Sequence, residues 1–271
     1  MNLALGEETA QHSTETQTGG CLIINADDWG RDRATTDRIR ECFDTRAISS
    51  ASAMVFMEDS PRAAEVAHQR GLDCGLHLNL TQAFSAPSVA AQLAGQHSRV
   101  VRYLRRSRFA QVCFHPGLAN AFEYAVKAQV EEFWRLYGRL PERIDGHHHM
   151  HLAANVLLQG LIPEGSIVRR NFSFTAGEKS WGNRMYRGFQ DRRLARKYRM
   201  TDYFFSLPPL DPASRLEEIF RLAQTAFVEV ETHPVNAEEH QFLADGEIWR
   251  RNRGLPISNR YRVANLNLNS I

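Results

Sequence analysis

Residues 21–30 read CLIINADDWG, and this stretch decides the class of fold. Its first six residues form an apolar run that follows Gly19-Gly20. A continuous apolar run is typical of a strand that is buried on both faces, as in a parallel sheet. Asp27 and Asp28 come where this strand ends. The stretch therefore predicts a parallel sheet with two carboxylates at the carboxyl end of one strand.

Strands and helices alternate along the rest of the chain. Further strands are predicted at residues 49–56, 74–80 and 226–231, and helices at 32–46, 60–70, 118–138 and 215–226. We expect Asp32 to cap the first helix and Ser60 to cap the second, with Pro61 at its first helical position. The alternation predicts an α/β fold. If the sheet closes into a barrel, the carboxyl ends of its strands meet on one face.

The bulk properties are those of a globular protein. The chain has 271 residues, a length that suits a single α/β barrel domain, and a net charge of +2 that gives no indication of a nucleic-acid partner. We see no apolar run of the roughly 18–20 residues that span a membrane. The four cysteines form no CxxC pair, and we expect buried thiols in a reducing cytoplasm.

The domain organisation predicted from composition has two parts. Residues 1–20 are polar and are expected to be a disordered leader, and residues 21–271 are expected to form one domain. That domain carries two basic insertions, near 98–109 and 169–199, and residues 171–201 are expected to form a surface excursion or lid. The insertions are either solvated faces or surfaces that grip an anionic substrate.

The strongest single motif is a cluster of four histidines at residues 147–151, which read HHHMH. On a strand, His147, His149 and His151 would share one face and His148 would point away. Imidazole is the commonest neutral metal ligand, and a catalytic ion needs about three protein ligands and an open position. His77 and His233 lie at the ends of other strands. Each of these two, taken alone, is more often a satisfied core histidine than a ligand.

The Asp27-Asp28 pair suits metal-dependent hydrolysis. One carboxylate can bind the ion while another takes a proton from water. Aspartate is also common in turns, so the pair alone is weak support for a metal site.

Four segments together carry a more specific signal. They are residues 22–30 (LIINADDWG), 75–81 (GLHLNLT), 144–151 (IDGHHHMH) and 229–234 (EVETHP). Their order and spacing resemble the signature blocks of the YdjC-like family of carbohydrate deacetylases, which includes chitooligosaccharide deacetylase. The resemblance covers residues 21–240. Trp29 replaces the usual Phe, and Gly146 stands where Ser is common.

The resemblance implies an irregular (β/α) barrel similar to polysaccharide deacetylases. It also implies removal of an N-acetyl group from a carbohydrate with one divalent metal ion, Mg²⁺ or Zn²⁺, and it admits a homodimer. The roles it implies for this chain are as follows: Asp28, His77 and His147 as metal ligands, Asp27 as general base, His233 as general acid, and His149, His151, Asn79 and Trp29 as substrate-binding residues.

Two other functions remain open at this point. A metal-dependent phosphoesterase or another amidohydrolase on a barrel fold would use the same kinds of ligand, and two or more ions per chain would favour the phosphoesterase. A non-catalytic glycan-binding protein would bind sugar without releasing acetate. The binding protein has no need of a base, and the Asp-Asp pair therefore favours an enzyme.

Overall fold

A computed structural model of the chain describes residues 19–107, 109–173 and 181–263. The predicted leader at 1–20 lies outside these residues except for its last two positions. Arg108 and residues 174–180 of the two predicted basic insertions also lie outside them. The leader, and the lid predicted within the second insertion, therefore stay predictions.

The described residues form one sheet of seven parallel strands with helices between them. Its strands are β1 (Cys21–Trp29), β2 (Ser50–Ala53), β3 (Cys74–Leu78), β4 (Arg143–Gly146), β5 (Ile167–Val168), β6 (Tyr203–Ser206) and β7 (Phe227–Thr232). They lie in the order β5-β4-β3-β2-β1-β7-β6, and every pair is parallel. The predicted α/β fold is confirmed.

The helices follow the strands along the chain. They are α1 (Arg33–Asp44), α2 (Ser60–Arg70), α3 (Ala91–Arg106), α4 (Ala119–Tyr137), α5 (Ala154–Leu158), α6 (Trp181–Leu194), α7 (Ala213–Leu222), α8 (Ala237–Ala244) and α9 (Glu247–Arg251). Two 3₁₀ segments lie at Pro116–Leu118 and His147–Leu152. None of the helices in the described residues is long and apolar enough to cross a membrane.

The sheet curls into an irregular barrel. Arg169, one residue past the edge strand β5, places its Nε 2.8 Å from Glu229 on β7, at the other side of the sheet. Near the opposite edge, the Ser173 amide donates to the Phe204 carbonyl of β6 at 2.7 Å. These contacts are short enough only if the two edges turn toward each other. The predicted irregular (β/α) barrel is therefore confirmed.

The two faces of the sheet differ in polarity. On β1, Leu22 and Ile24 belong to the large apolar core that packs against the helices. Asn25 points to the other face, where its amide donates to Ser52 at 2.8 Å. On β7, Val230 lies in the apolar core while Glu229 faces Arg169. The apolar core therefore lies between sheet and helices, and the barrel encloses a polar network.

The amino-terminal end of the barrel is closed by a small apolar cluster. Tyr261, Ile23 and Ile167 pack together there and are nearly inaccessible to solvent. The Tyr261 hydroxyl donates to Glu229, and the Arg143 guanidinium lies 4.4 Å from the centre of the Tyr261 ring. The polar interior is thus covered on this side, and the carboxyl ends of the strands form its open end.

The predicted helix starts are correct for α1 and shifted for α2. Asp32 caps α1 by accepting from the Thr35 amide at 2.8 Å. Ser60 is already the first residue of α2, and its hydroxyl instead donates to the Met54 carbonyl at 2.9 Å. The residue before it, Asp59, makes no side-chain cap. The first predicted basic insertion is largely the regular helix α3, whose arginines lie on an exposed face.

Candidate metal and catalytic site

Asp27 and Asp28 reach one pocket because β1 bulges between them. Ala26 pairs with Ala51, but the next pairing along β1 joins Trp29 to Ala53. Three steps on β1 therefore oppose two on β2, and Asp28 adopts a left-handed φ of 70° to accommodate the extra residue. Neighbouring side chains on a regular strand would point to opposite faces. The bulge removes that alternation and leaves both carboxylates at the open end of the barrel.

Asp28, His77 and His147 form a group with the geometry of a metal site. The Asp28 Oδ1 atom lies 2.9 Å from His147 Nδ1 and 3.4 Å from His77 Nε2. The three donor atoms all lie within 4.8 Å of one another, and all three residues are buried. They come from the ends of β1, β3 and β4. The structure therefore brings together the three ligands that the sequence predicts.

The donor atoms of this group fit a divalent cation. Neither Asp28 Oδ1 nor His77 Nε2 has a hydrogen-bond partner among the described residues, although both atoms are buried. The other carboxylate oxygen of Asp28 accepts from Arg31 at 2.7 Å, which leaves Oδ1 to face the pocket. Burial alone would raise the pKa of Asp28, but His77 and His147 outweigh it and hold that pKa well below its usual range. An ionised carboxylate and two imidazoles suit zinc and related ions.

Asp145 orients His77 from behind. His77 Nδ1 lies 2.6 Å from Asp145 Oδ1, and the other oxygen of Asp145 accepts from Ser52 at 2.5 Å and from Arg143 at 3.1 Å. In metal-binding histidines, the ring nitrogen that does not bind the metal commonly donates a hydrogen bond to such a carboxylate. Burial lowers the pKa of His77, but Asp27 and Asp145 outweigh it and raise that pKa to about 10. The negative charge that attracts a proton to His77 also favours a cation there.

Asp27 is held by Arg169 rather than by the ligand group. The guanidinium donates to both carboxylate oxygens of Asp27, at 2.6 and 2.8 Å, and Asn25 adds a third hydrogen bond at 2.8 Å. Burial raises the pKa of Asp27, but Arg169 and His77 overcome this and lower it below its usual value. Asp27 is therefore an ionised acceptor in a fixed orientation beside the ligand group.

Arg169, the first residue of the predicted basic insertion at 169–199, lies inside the barrel and not on its surface. Its side chain is completely buried, and it also pairs with Glu229 at 2.8 Å and with Glu231 at 3.3 Å. It belongs to the barrel interior because it directly follows β5, where the alternation of side chains turns it inward.

A second cluster of possible ligands is blocked by the same arginine. Asp27, His77 and Asp145 also offer ligand atoms within 4.8 Å of one another. Arg169 donates to both oxygens of Asp27 and places Nη2 3.5 Å from Asp145 Oδ2. A fixed positive charge beside both carboxylates of this cluster opposes a second cation at this position.

His233 faces Asp27 across the open end of the barrel. Its Nε2 lies 3.9 Å from Asp27 Oδ2, and its side chain is 32% exposed. The buried Glu239 accepts from the His233 amide at 2.7 Å and so fixes the end of β7. His233 is thus close to the candidate base and open to solvent, as a proton donor to a substrate must be.

The histidine cluster does not continue β4 as a strand, contrary to the sequence prediction. β4 ends at Gly146, and His148 and His149 take left-handed φ values of 54° and 59° within the 3₁₀ segment. The His148 ring packs 4.0 Å from the His147 ring, and His149 Nε2 lies 3.9 Å from Glu231 Oε1. The predicted shared face of His147, His149 and His151 is therefore wrong, since each of these rings has its own surroundings.

Three of the four predicted substrate-binding residues have no surface that a substrate reaches in this structure. Trp29, Asn79 and His151 are fully buried. Asn79 is tied to Gln129 through its backbone, and His151 Nε2 lies 2.9 Å from the Arg169 carbonyl. Because they are buried, these three side chains do not line the surface of the cleft. The fourth, His149, lines the open cleft with 29% of its side chain exposed.

The cleft above the ligand group has a volume of about 480 Å³. It joins Asp27, Asp28, His147, His149 and His233 with residues absent from the predicted site. Those additional lining residues are Arg31, Gly146, His148, Glu231, Val235 and Asn236.

Sequence reasoning missed the residues that hold the site. Asp145 lies two positions before His147, and Glu231 lies two positions before His233. Side chains two positions apart on a strand point to the same face, so both carboxylates could have been predicted from the positions of the histidines. Arg169 follows a strand of two residues, a signal too short to read in the sequence.

The chain is similar in sequence to one protein family and to named deacetylases. A model of the family described as YdjC-like protein matches residues 21–258. The chain is 29% identical over 137 residues to a chitooligosaccharide deacetylase of Serratia marcescens, covering 50% of this chain and 52% of that protein. It is also 29% identical over 139 residues to a carbohydrate deacetylase of Danio rerio, covering 50% of this chain and 43% of that protein. The chain thus spans about half the length of the curated relatives it matches.

One solved structure has the same fold over most of its length. It is an Enterococcus faecalis protein named for a proposed role in cellobiose-phosphate cleavage, with a TM-score of 0.62 and 18% identity. The match covers 89% of this chain and 97% of that one.

Proposed function

The chain belongs to the YdjC-like protein family, and on that premise we propose that it is a metal-dependent hydrolase that removes an N-acetyl group from a carbohydrate. The observation that carries the proposal is the pairing of two groups at one open end. One is the ligand set of Asp28, His77 and His147, in which Asp28 Oδ1 and His77 Nε2 have no hydrogen-bond partner among the described residues. The other is an ionised Asp27 held beside it. The deacetylase names of the curated relatives support the reaction.

Asp27 is proposed to act as the general base. A divalent ion bound at the ligand set would lower the pKa of a water and polarise the acetamide carbonyl. Asp27 would accept the proton of that water. The Arg169 guanidinium donates to both oxygens of Asp27 and so fixes the orientation of this carboxylate beside the ligand group. Arg169 and Asn25 satisfy Asp27 from the interior side, so its ionised state does not depend on solvent.

His233 is proposed to act as the general acid. An amide nitrogen leaves poorly as an anion and needs a proton. His233 Nε2 lies 3.9 Å from Asp27 Oδ2, and His233 lines the same cleft as Asp28 and His147. In its protonated form it can donate to the departing amine of a substrate lying between it and the ligands.

We propose one ion per chain. The fixed charge of Arg169 at the second cluster disfavours the two-ion arrangement of many phosphoesterases. Whether the ion is Mg²⁺ or Zn²⁺ is tested by adding each metal back after chelation. A substrate with an anionic group, a homodimer and a cytoplasmic location stay predictions from the sequence.

Acetate release from N-acetylated glucosamine oligomers tests the proposed function. We expect release by the metal-loaded chain, loss on chelation, and recovery with one equivalent of metal. Two bound ions per chain together with phosphate release from a phosphoester would instead favour the phosphoesterase. Sugar binding without release of acetate, by a fully metal-loaded chain, would contradict catalysis.

A further inference from the structure

A groove leaves the candidate site between helix α6 and the segment 109–118. It consists of two adjoining cavities of about 240 and 250 Å³. They share the lining residues Gln111, Val112, Leu152, Leu157, Gln190 and Leu194. The inner cavity is lined by His148 and His149, which also line the cleft above the metal ligands. The groove is therefore an extension of the catalytic cleft.

One side of the groove is aliphatic and exposed. Val112 and Leu158 expose 55% and 62% of their surfaces, and Leu152 and Leu157 line the wall between them. Neighbouring exposed aliphatic side chains leave apolar surface in water, which is a feature of ligand-binding grooves. An apolar ligand would remove this surface from water.

The other side of the groove carries positive charge. Arg193 and Lys197 line the outer cavity and Arg187 the inner one, and no carboxylate lines either cavity among the described residues. Lys197 lies 3.1 Å from Glu164, which is outside the groove and largely exposed. A groove lined by cations and by no carboxylate is complementary to an anion.

The exposed aliphatic side chains and the positive charge of the groove together indicate the class of ligand. The lining also contains the aromatic rings of Phe172 and Tyr198 and the side-chain amides of Gln111, Asn171 and Gln190. The exposed aliphatic side chains and the cations, however, favour a ligand that is partly apolar and negatively charged over a neutral sugar. We infer that the groove binds the aglycone of the substrate, and that this aglycone is an aliphatic chain joined to the N-acetyl sugar through a phosphate. The inference rests on the proposed deacetylase function, since it places the acetamide over the metal ligands and the chain in the groove.

Four synthetic probes test the two properties separately. They are N-acetylglucosamine carrying a decyl phosphate, a methyl phosphate, a neutral decyl group or a neutral methyl group, each kept below its micelle concentration. We expect kcat/KM for acetate release to be highest for the decyl phosphate, by about tenfold or more over either singly modified probe. Equal values for the four probes, or a preference for N-acetylglucosamine oligomers over the decyl phosphate, would overturn the inference.

Matched variants locate the effect in the groove. Arg193→Gln should lower kcat/KM for the decyl phosphate about fivefold and leave the neutral decyl probe unchanged. Its control is Arg192→Gln, the adjacent exposed arginine that does not line the groove. Equal effects of the two substitutions would contradict a role for groove charge.

A second pair of variants tests the aliphatic side of the groove. Leu158→Gln should lower kcat/KM for both decyl probes and spare both methyl probes. Its control is Leu140→Gln, which is 64% exposed and lies outside the groove. A loss for the methyl probes as well would assign Leu158 a structural role instead.

Calorimetric binding to the metal-loaded chain separates this inference from the proposed function. Groove-dependent binding of the decyl phosphate without acetate release would support the groove and refute the deacetylase. Acetate release at equal kcat/KM from all four probes would support the deacetylase and refute the groove.

Discussion

Two neighbouring aspartates in this site have different partners, which supports the different roles that we propose for them. Asp28 faces two imidazoles with an unpartnered oxygen, whereas Asp27 is enclosed by the Arg169 fork and Asn25. The difference follows from the bulge in β1, which changes the direction of each side chain.

Substitution of each aspartate by asparagine tests this division of roles. Asp27→Asn should lower kcat by about 10²- to 10⁴-fold and retain the metal, because the lost group is a base and not a ligand. Asp28→Asn is the matched control and should lose the metal, because a neutral amide replaces the charged ligand. Metal content after dialysis and acetate release are the measurements. Loss of metal from Asp27→Asn would contradict the assignment.

Arg169→Lys tests whether the guanidinium sets the charge state of Asp27. Lysine keeps the positive charge but cannot donate to both oxygens in the fork geometry. We expect kcat/KM to fall about 10- to 100-fold. The base works only when ionised, and weaker pairing raises the pKa of Asp27, so the acid limb of the pH–rate profile should move to higher pH.

Arg170→Lys is the control for this substitution. Arg170 pairs with Asp191 at 2.8 Å, away from the catalytic cleft. Its profile should match that of the unmodified chain. A similar loss in both variants, or an unmoved acid limb in Arg169→Lys, would show that Arg169 acts only on stability.

Among the elements, the turn after β4 decides where His147 lies. Gly146 is packed so closely that a Cβ atom there would lie 2.8 Å from the His151 amide nitrogen and 3.0 Å from its Cβ. In this chain the 3₁₀ segment packs against β4 with no room for a Cβ atom at residue 146.

Gly146→Ala should therefore displace the histidine turn. We expect metal affinity to fall by about tenfold or more, and the free energy of unfolding to fall by about 1–3 kcal/mol. Gly95→Ala in α3 is the control, because a Cβ there meets nothing within 4 Å. It should raise the free energy of unfolding by about 0.5–1 kcal/mol and leave metal affinity unchanged. Titration with metal and urea denaturation measure both quantities.

Local patterns predicted the elements well where the determining forces are local. The helix at 118–138 ends at Gly138, as expected, because glycine takes the left-handed cap with a φ of 68°. The strand predicted through the histidines was wrong because His148 and His149 take left-handed φ values, which turn the chain directly after Gly146. The pairing of Asp27 with Arg169 joins residues 142 positions apart, and no local pattern indicates it. The three predicted metal ligands meet because each ends a parallel strand, which the sequence does show.

At the scale of the whole molecule, the proposed metal ligands come from three strands. Asp28, His77 and His147 lie on β1, at β3 and just after β4, so an ion bound by all three would stabilise the folded barrel over the unfolded chain. At a metal concentration of 100 times Kd, the gain is about 2.7 kcal/mol. This corresponds to a rise in Tm of roughly 5–10 °C for a chain of this size.

Thermal unfolding with and without chelator measures this gain. The Asp28→Asn variant is the control, and its Tm should not respond to added metal. An equal response in that variant would mean that the metal binds elsewhere.

The closed amino-terminal end of the barrel has a consequence for turnover. Within residues 19–107, 109–173 and 181–263, Tyr261 and its apolar neighbours cover the interior below Glu229, so Asp27 reaches water through the open end of the barrel. A proton taken up by Asp27 during hydrolysis must leave by that same route. We therefore expect the departure of the deacetylated sugar to be coupled to the resetting of the base, with a solvent deuterium isotope effect on product release.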